Sequence, residues 1–131
     1  MRILDTDTCI EILRGNEKIL ERRAAVIDEV LTTWITASEL HFGAALSTSP
    51  RENGVLVDEF LRATRPVDLD IKAAQRFGEI KAALQREGGS LPDANLFIAA
   101  IALARGATLV TGDTRHFERL PGIILENWIR G

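Results

Sequence analysis

Five carboxylates and one amide carry the chemistry in this sequence. Asp5 and Asp7 sit in "ILDTDTC", Glu39 in "ITASEL", Asp93 and Asn95 in "LPDANLFIAA", and Asp113 in "LVTGD". Each acid comes at the end of a short apolar run or just before one. Carboxylates gathered within a few ångströms repel, and one or more of them must hold its proton more tightly than usual. A cation relieves that repulsion. An oxygen-only donor set with no cysteine or histidine cluster suits a hard ion, Mg²⁺ or Mn²⁺. Such an ion activates water and shields phosphate, which is the chemistry of phosphodiester hydrolysis.

Each acid also has a plain structural explanation. Thr36-x-x-Glu39 and Ser90-x-x-Asp93 have the spacing of capping boxes. Asp7 and Asp113 suit N-caps, and acids near helix N-termini are favoured by about 0.3–1 kcal/mol.

The elements that must position these residues follow from patterning. Short apolar or β-branched runs at 2–5, 32–36, 65–69, 107–111 and 122–128 read as strands. Helical periodicity or composition predicts helices at 8–14, 17–30, 37–46, 55–63, 71–86 and 92–105, with a short helical turn at 113–119. Pro92 suits a first helical turn and Gly106 a C-terminal cap. Strands alternating with helices predict a three-layer α/β/α sandwich with a central, mainly parallel sheet. Ligands bind such sheets at the carboxyl ends of the strands. Asp5, Asp7, Glu39 and Asp113 follow strands, and Asp93 opens the helix leading into one, so all are expected on one rim.

The totals set bounds. The chain has 131 residues, 46% apolar and 27% charged, with a net charge of −3 and one cysteine. That suits a single domain, 1–131, with a real core. It excludes an internal disulfide and a cysteine-cluster zinc site. No apolar run reaches the roughly 18 residues that span a bilayer, and no signal-peptide order opens the chain, so no membrane and a cytoplasmic location are expected. The acidic balance lacks the basic surplus usual in nucleic-acid binders; bound cations would supply local positive charge.

Competing chemistries fare worse. "LDTDTC" approaches the Asp-x-Asp-x-Thr motif of haloacid-dehalogenase-like phosphatases, but Cys9 stands at its fifth position. Lys18, Lys72 and Lys81 all fall on expected helices, away from strand ends. The same lack argues against a phosphoacceptor receiver domain. No spacing supports Cys9 as a nucleophile with His41 or His116, and a lone cysteine is usually core. His116 reads as a surface or helix-end residue. Arg14 and Arg115 lie near the rim and could meet phosphate, although solvated surface charge is the simpler reading of both. Trp34 and Trp128 read as core or interface aromatics.

Taken as an ordered set, "ILDTDTCIEILRG", "ITASELHFGA", "LPDANLFIAAIALARGATLVTGDTRHF" and "LPGIILENW" resemble PIN-domain ribonucleases of the VapC toxin type. The resemblance runs along nearly the whole chain. It implies a PIN fold and a Mg²⁺- or Mn²⁺-dependent endoribonuclease acting on tRNA or other structured RNA. It also implies a homodimer and a VapB-type antitoxin that blocks the site. Position by position, it makes Asp5 the central metal ligand, with Asp93, Asp113 and the Asn95 position completing the metal site. Glu39 would hold a water at the ion or a second ion. The family usually carries an acid where this chain has Asn95. Asn95 offers an oxygen without charge, so either Asp93 compensates or the chain is weakened or inactive. In the second case it would be a non-catalytic antitoxin- or RNA-binding protein.

Overall fold

A computed structural model describes residues 1–130. The elements in chain order are β1 (Arg2–Leu4), α1 (Thr6–Leu13), α2 (Glu17–Ala25), β2 (Val30–Thr33), α3 (Trp34–Leu46) and α4 (Pro50–Ala63). They continue as β3 (Pro66–Val67), α5 (Ile71–Arg86), α6 (Asp93–Arg105), β4 (Thr108–Val110), α7 (Thr114–Phe117) and β5 (Ile124–Glu126). The five strands form one sheet in the order β3-β2-β1-β4-β5, and every pairing is parallel. β1 is central: Ile3 pairs with Leu31 on one side and Leu109 on the other.

Strand alternation sorts the core into two layers. Ile3, Leu31 and Leu109 face a cluster built from α5 and α6, including Ala73, Ile80, Leu84, Leu96 and Ile101. Leu4, Val30 and Val110 face the opposite cluster, with Cys9 of α1, Ile19 of α2, Leu40 and Ala44 of α3, and Val57 of α4. The sandwich expected from the alternation of elements is therefore the observed architecture. α6 is buried on most of its faces, with Leu96, Ile98, Ala99, Ala100, Ile101 and Ala102 each at most 1% exposed, and it ends at Gly106 in the left-handed conformation (φ +63°).

The boundaries differ from the sequence reading most at three helices, and the strand expected at 32–36 is instead Val30–Thr33. The helix expected over 17–30 stops at Ala25 because Val30 and Leu31 join the sheet beside Arg2 and Ile3. The helix expected from 37 begins at Trp34, where the Thr33 hydroxyl caps it by accepting from the Thr36 N–H at 3.1 Å. α4 begins at Pro50 rather than 55, with proline in its first turn. Tertiary pairing and side-chain caps override local propensity at the first two, and proline chemistry sets the third.

Among the described residues no helix is long and apolar enough to cross a membrane.

Candidate active site

Asp5 leaves the carboxyl end of the central strand and enters α1 as its N-cap. Its backbone N–H donates to the Val110 carbonyl at 2.9 Å, continuing the β1–β4 ladder. One side-chain oxygen accepts from the Thr6 N–H at 2.8 Å, and the other accepts from the Thr111 hydroxyl at 2.7 Å. Asp5 is 7% exposed and Thr111 0%. Burial, then the neighbouring Asp7 charge, push the Asp5 carboxyl up to about 6; the Thr111 and Thr6 bonds oppose this, and Glu39 adds to the rise. Among the described residues no lysine, arginine or histidine forms an ion pair with Asp5, Asp7 or Glu39. The fold thus holds a buried acid among like charges without neutralising it.

The surrounding acids are fixed by short polar contacts. The Asp7 carboxylate accepts from the Gly112 N–H at 2.9 Å. Glu39 lies on α3, exposed, and accepts from the Thr6 hydroxyl at 2.7 Å; the Thr36 hydroxyl is 3.0 Å from that same Thr6 oxygen. Asp113 is tied to the centre through its backbone, which donates to Thr111 Oγ1 at 3.0 Å, while its carboxylate lies 2.5 Å from His116 Nδ1. β1, β4 and the strand-end helices α1 and α3 therefore converge on one rim, as the topology rule requires.

The capping readings mostly fail. Thr33 rather than Thr36 caps α3, so Glu39 is not half of a capping box. Asp5 rather than Asp7 caps α1. Pro92 occupies the N-cap of α6, so Ser90 and Asp93 form no box. Asp113 is at the N-cap of α7 without a side-chain capping bond.

The remaining expected site residues lie on α6. α6 precedes β4, which runs parallel to β1, so by topology the α6 N-terminus belongs to the carboxyl-end edge of the sheet. Asp93, at the first position, is turned onto Lys81 of α5 at 2.9 Å, with its side chain 58% exposed. Asn95 is half-buried two residues on. Among the described residues no group of three or more histidine, cysteine, aspartate or glutamate side chains stands at metal-holding spacing. Asp7, Glu39, Asp93 and Asp113 each face a protein donor instead, and the position that would bring another charge holds an amide. The donor chemistry still fits a hard divalent cation: all oxygen, with a buried acid whose ionised form lacks a countercharge.

Sequence reasoning missed the supporting threonines. Thr6 links Asp5 to Glu39, and Thr111 links Asp5 to Asp113. Their signal was present, since "LDT" and "LVT" both put threonine where a buried apolar strand ends. Asp7 was named on the rim but left out of the site, and it is the strongest like-charge neighbour of Asp5.

The rival nucleophiles are disposed of by burial and pairing. Cys9 is fully buried, which drives its thiol far up. His41 pairs with Asp58 at 3.0 Å, away from Cys9. Lys18, Lys72 and Lys81 are helical, so no lysine stands at a strand end. Trp128 is buried at 2% exposure, whereas Trp34 is 50% exposed.

Comparison with known proteins agrees with this geometry. The PIN domain family model matches residues 2–123. The chain is 37% identical to the tRNA(fMet)-specific endonuclease VapC of Salmonella typhimurium, covering 96% of both chains. It is 33% identical to the ribonuclease VapC2 of Haemophilus influenzae, covering 97% of both. Among solved structures, the DNA-bound VapBC of Salmonella typhimurium superposes with a TM-score of 0.92 at 37% identity, covering 97% of each chain. The VapBC2 complex of Rickettsia felis, bound to a promoter DNA fragment, gives 0.92 at 28% identity, with 97% of this chain and 98% of that one covered. With a PIN match over most of its length and full-length VapC relatives above 30% identity, the chain belongs to the PIN domain family, among the VapC ribonucleases.

Proposed function

We propose that this chain, as a single PIN-like domain spanning 1–131, is a VapC-type toxin that hydrolyses RNA phosphodiester bonds. The carrying observation is Asp5, a carboxylate at the carboxyl end of the central strand, raised first by its burial, then by Asp7 and Glu39, and paired with no protein cation among the described residues. Nucleases of this family depend on a divalent cation. The oxygen-only donors favour Mg²⁺ or Mn²⁺. Asp5 is the central ligand of this reading, and Asp113 and the Asn95 oxygen would be its further ligands. Asp93 joins only by leaving Lys81. A divalent cation bound there would lower the pKa of water and shield the charge on the scissile phosphate.

The chain's own residues do the rest. Thr6 and Thr111 hold both Asp5 oxygens in fixed directions. Thr6 also anchors one Glu39 oxygen, leaving the other to orient the attacking water. His116 restrains Asp113. Water is the nucleophile: its oxygen bonds to phosphorus and gives up a proton to solvent, the bond from phosphorus to the bridging oxygen breaks, that oxygen leaves and takes a proton from solvent, and no covalent intermediate forms on the protein.

The relatives' names support tRNA as the substrate and a VapB-type antitoxin as the partner; action on tRNA would in turn put the chain in the cytoplasm, where that substrate is. Exposed apolar side chains such as Phe42, Leu46, Val55 and Leu56 support a homodimer or antitoxin interface. A second reading, a non-catalytic binder of RNA or antitoxin, is favoured by Asn95 in place of an acid. One assay separates them: cleavage of tRNA in Mg²⁺ or Mn²⁺ by this chain, by Asn95→Asp and by Asp5→Ala. We expect Asn95→Asp to cut at least tenfold faster than this chain and Asp5→Ala not to cut. An Asn95→Asp chain without activity overturns the nuclease reading; normal cutting by Asp5→Ala overturns the roles.

A further inference from the structure

We propose that the cleft lined by Gly112, Asp113, Thr114, Arg115, His116 and Arg130 is a phosphate subsite for the RNA strand, with Arg115 and Arg130 as its cationic contacts. The inference rests on the nuclease reading above. The cleft has a volume of about 250 Å³, and its wall is the same loop that holds the acids. Gly112 donates to Asp7, and the Asp113 N–H donates to Thr111, which in turn holds Asp5. A strand whose scissile phosphate lies at Asp5 must pass its neighbouring phosphates over such a loop.

Arg130 is delivered to the cleft by a built turn. β5 pairs with β4, placing Glu126 opposite Val110. Trp128 then buries its ring beside Leu4 and Val110, and its indole N–H donates to Glu126 at 3.1 Å. The Asn127 side-chain oxygen accepts from both the Ile129 and Arg130 N–H groups at 2.9 Å. This turn lays Ile129 against Gly112 so closely that a Cβ at position 112 would stand 2.7 Å from Ile129 Cδ1 and 3.0 Å from the Asp7 carboxylate. Glycine at 112 lets the loop, the acids and the tail share one place.

The charges fit an anion. Neither Arg115 nor Arg130 has an acidic partner among the described residues. The acid of the cleft, Asp113, is engaged by His116 at 2.5 Å. With a net charge of −3, the chain has no overall attraction for a polyanion, so backbone binding must come from local guanidinium groups.

The test measures binding of a fluorescein-labelled single-stranded RNA by anisotropy, in EDTA so that nothing is cut, across a range of KCl concentrations. Arg115→Ala and Arg130→Ala should each weaken binding roughly five- to tenfold and reduce the slope of log affinity against log salt by roughly 0.7. Arg130→Lys should keep the slope. Arg105→Ala, at the far end of α6, should change neither. Mn²⁺ titrations should be the same for both alanine variants and the parent chain. Parental binding with the same affinity and salt slope in both variants overturns the subsite alone. A parent chain that binds no RNA overturns the subsite and the nuclease reading together.

Discussion

Asn in place of Asp5 should make the metal-free protein more stable while ending its chemistry. The Asp5 carboxyl stands at about 6 in the folded chain against an ordinary 3.8. The folded state therefore binds this proton more tightly than the unfolded state, and the sign follows. Stability is fully present below about pH 4 and is lost as pH rises through about 6. Once Asp5 is ionised, above pH 6, the loss is about 3 kcal/mol. An asparagine avoids that charge, still accepts from Thr6, and forfeits the bond from Thr111, worth about 1 kcal/mol. The net gain at pH 7.5 is about 2 kcal/mol, on the order of a fifth of a typical domain's stability. At pH 4 the ionisation cost falls to about 0.5 kcal/mol, and the variant becomes the less stable chain. The assay is urea denaturation of both chains in EDTA at pH 4, 5 and 7.5. Adding Mn²⁺ at about a hundred times its dissociation constant at pH 7.5 should then stabilise the parent by about 2.7 kcal/mol and leave the variant unmoved. An Asp5→Asn chain that is no more stable at pH 7.5, or whose advantage is the same at pH 4, refutes the reasoning.

Other expectations follow from neighbouring contacts. Thr111→Val removes the hydroxyl that holds Asp5 at 2.7 Å, so the pH midpoint of Mn²⁺ binding should rise by about one unit, read by calorimetric titration; an unmoved midpoint would show that Thr111 does not tune Asp5. Lys81→Ala releases Asp93 from its ion pair. It should tighten Mn²⁺ binding severalfold, with a stability loss below about 1 kcal/mol because the pair is exposed; unchanged affinity would confine Asp93 to that pair. Cys9→Ala should cost about 1–2 kcal/mol through the small cavity it leaves and should leave RNA cleavage unchanged, whereas loss of cleavage at unchanged stability would revive a thiol role.

The sandwich was legible because alternating strand and helix patterns and the rule of strand carboxyl ends are both local in sequence. Asp5 after "RIL", Asp113 after "LVTG" and Gly106 after the apolar helix each carry their own marker. The β2–α3 corner was not legible. "VIDEVLTTW" favours helix and strand about equally, and only pairing of Val30 and Leu31 with β1 decides between them. Nor could spacing show that Thr33, rather than Thr36, would cap α3 and leave Glu39 free to meet Thr6.

By itself, the sequence determined which oxygens were available and that they would share one edge of a parallel sheet, since chain direction alone assigns strand ends and helix starts to that edge. Tertiary structure decided what each carboxylate does there. Asp5 became a buried acid near pH 6 through desolvation and Asp7. Asp93 turned out to Lys81, and Arg130 was carried to Gly112 by the turn that follows Trp128. Those outcomes depend on distances between residues as much as 106 positions apart, and solvation and Coulomb energies respond to distance in space rather than along the chain.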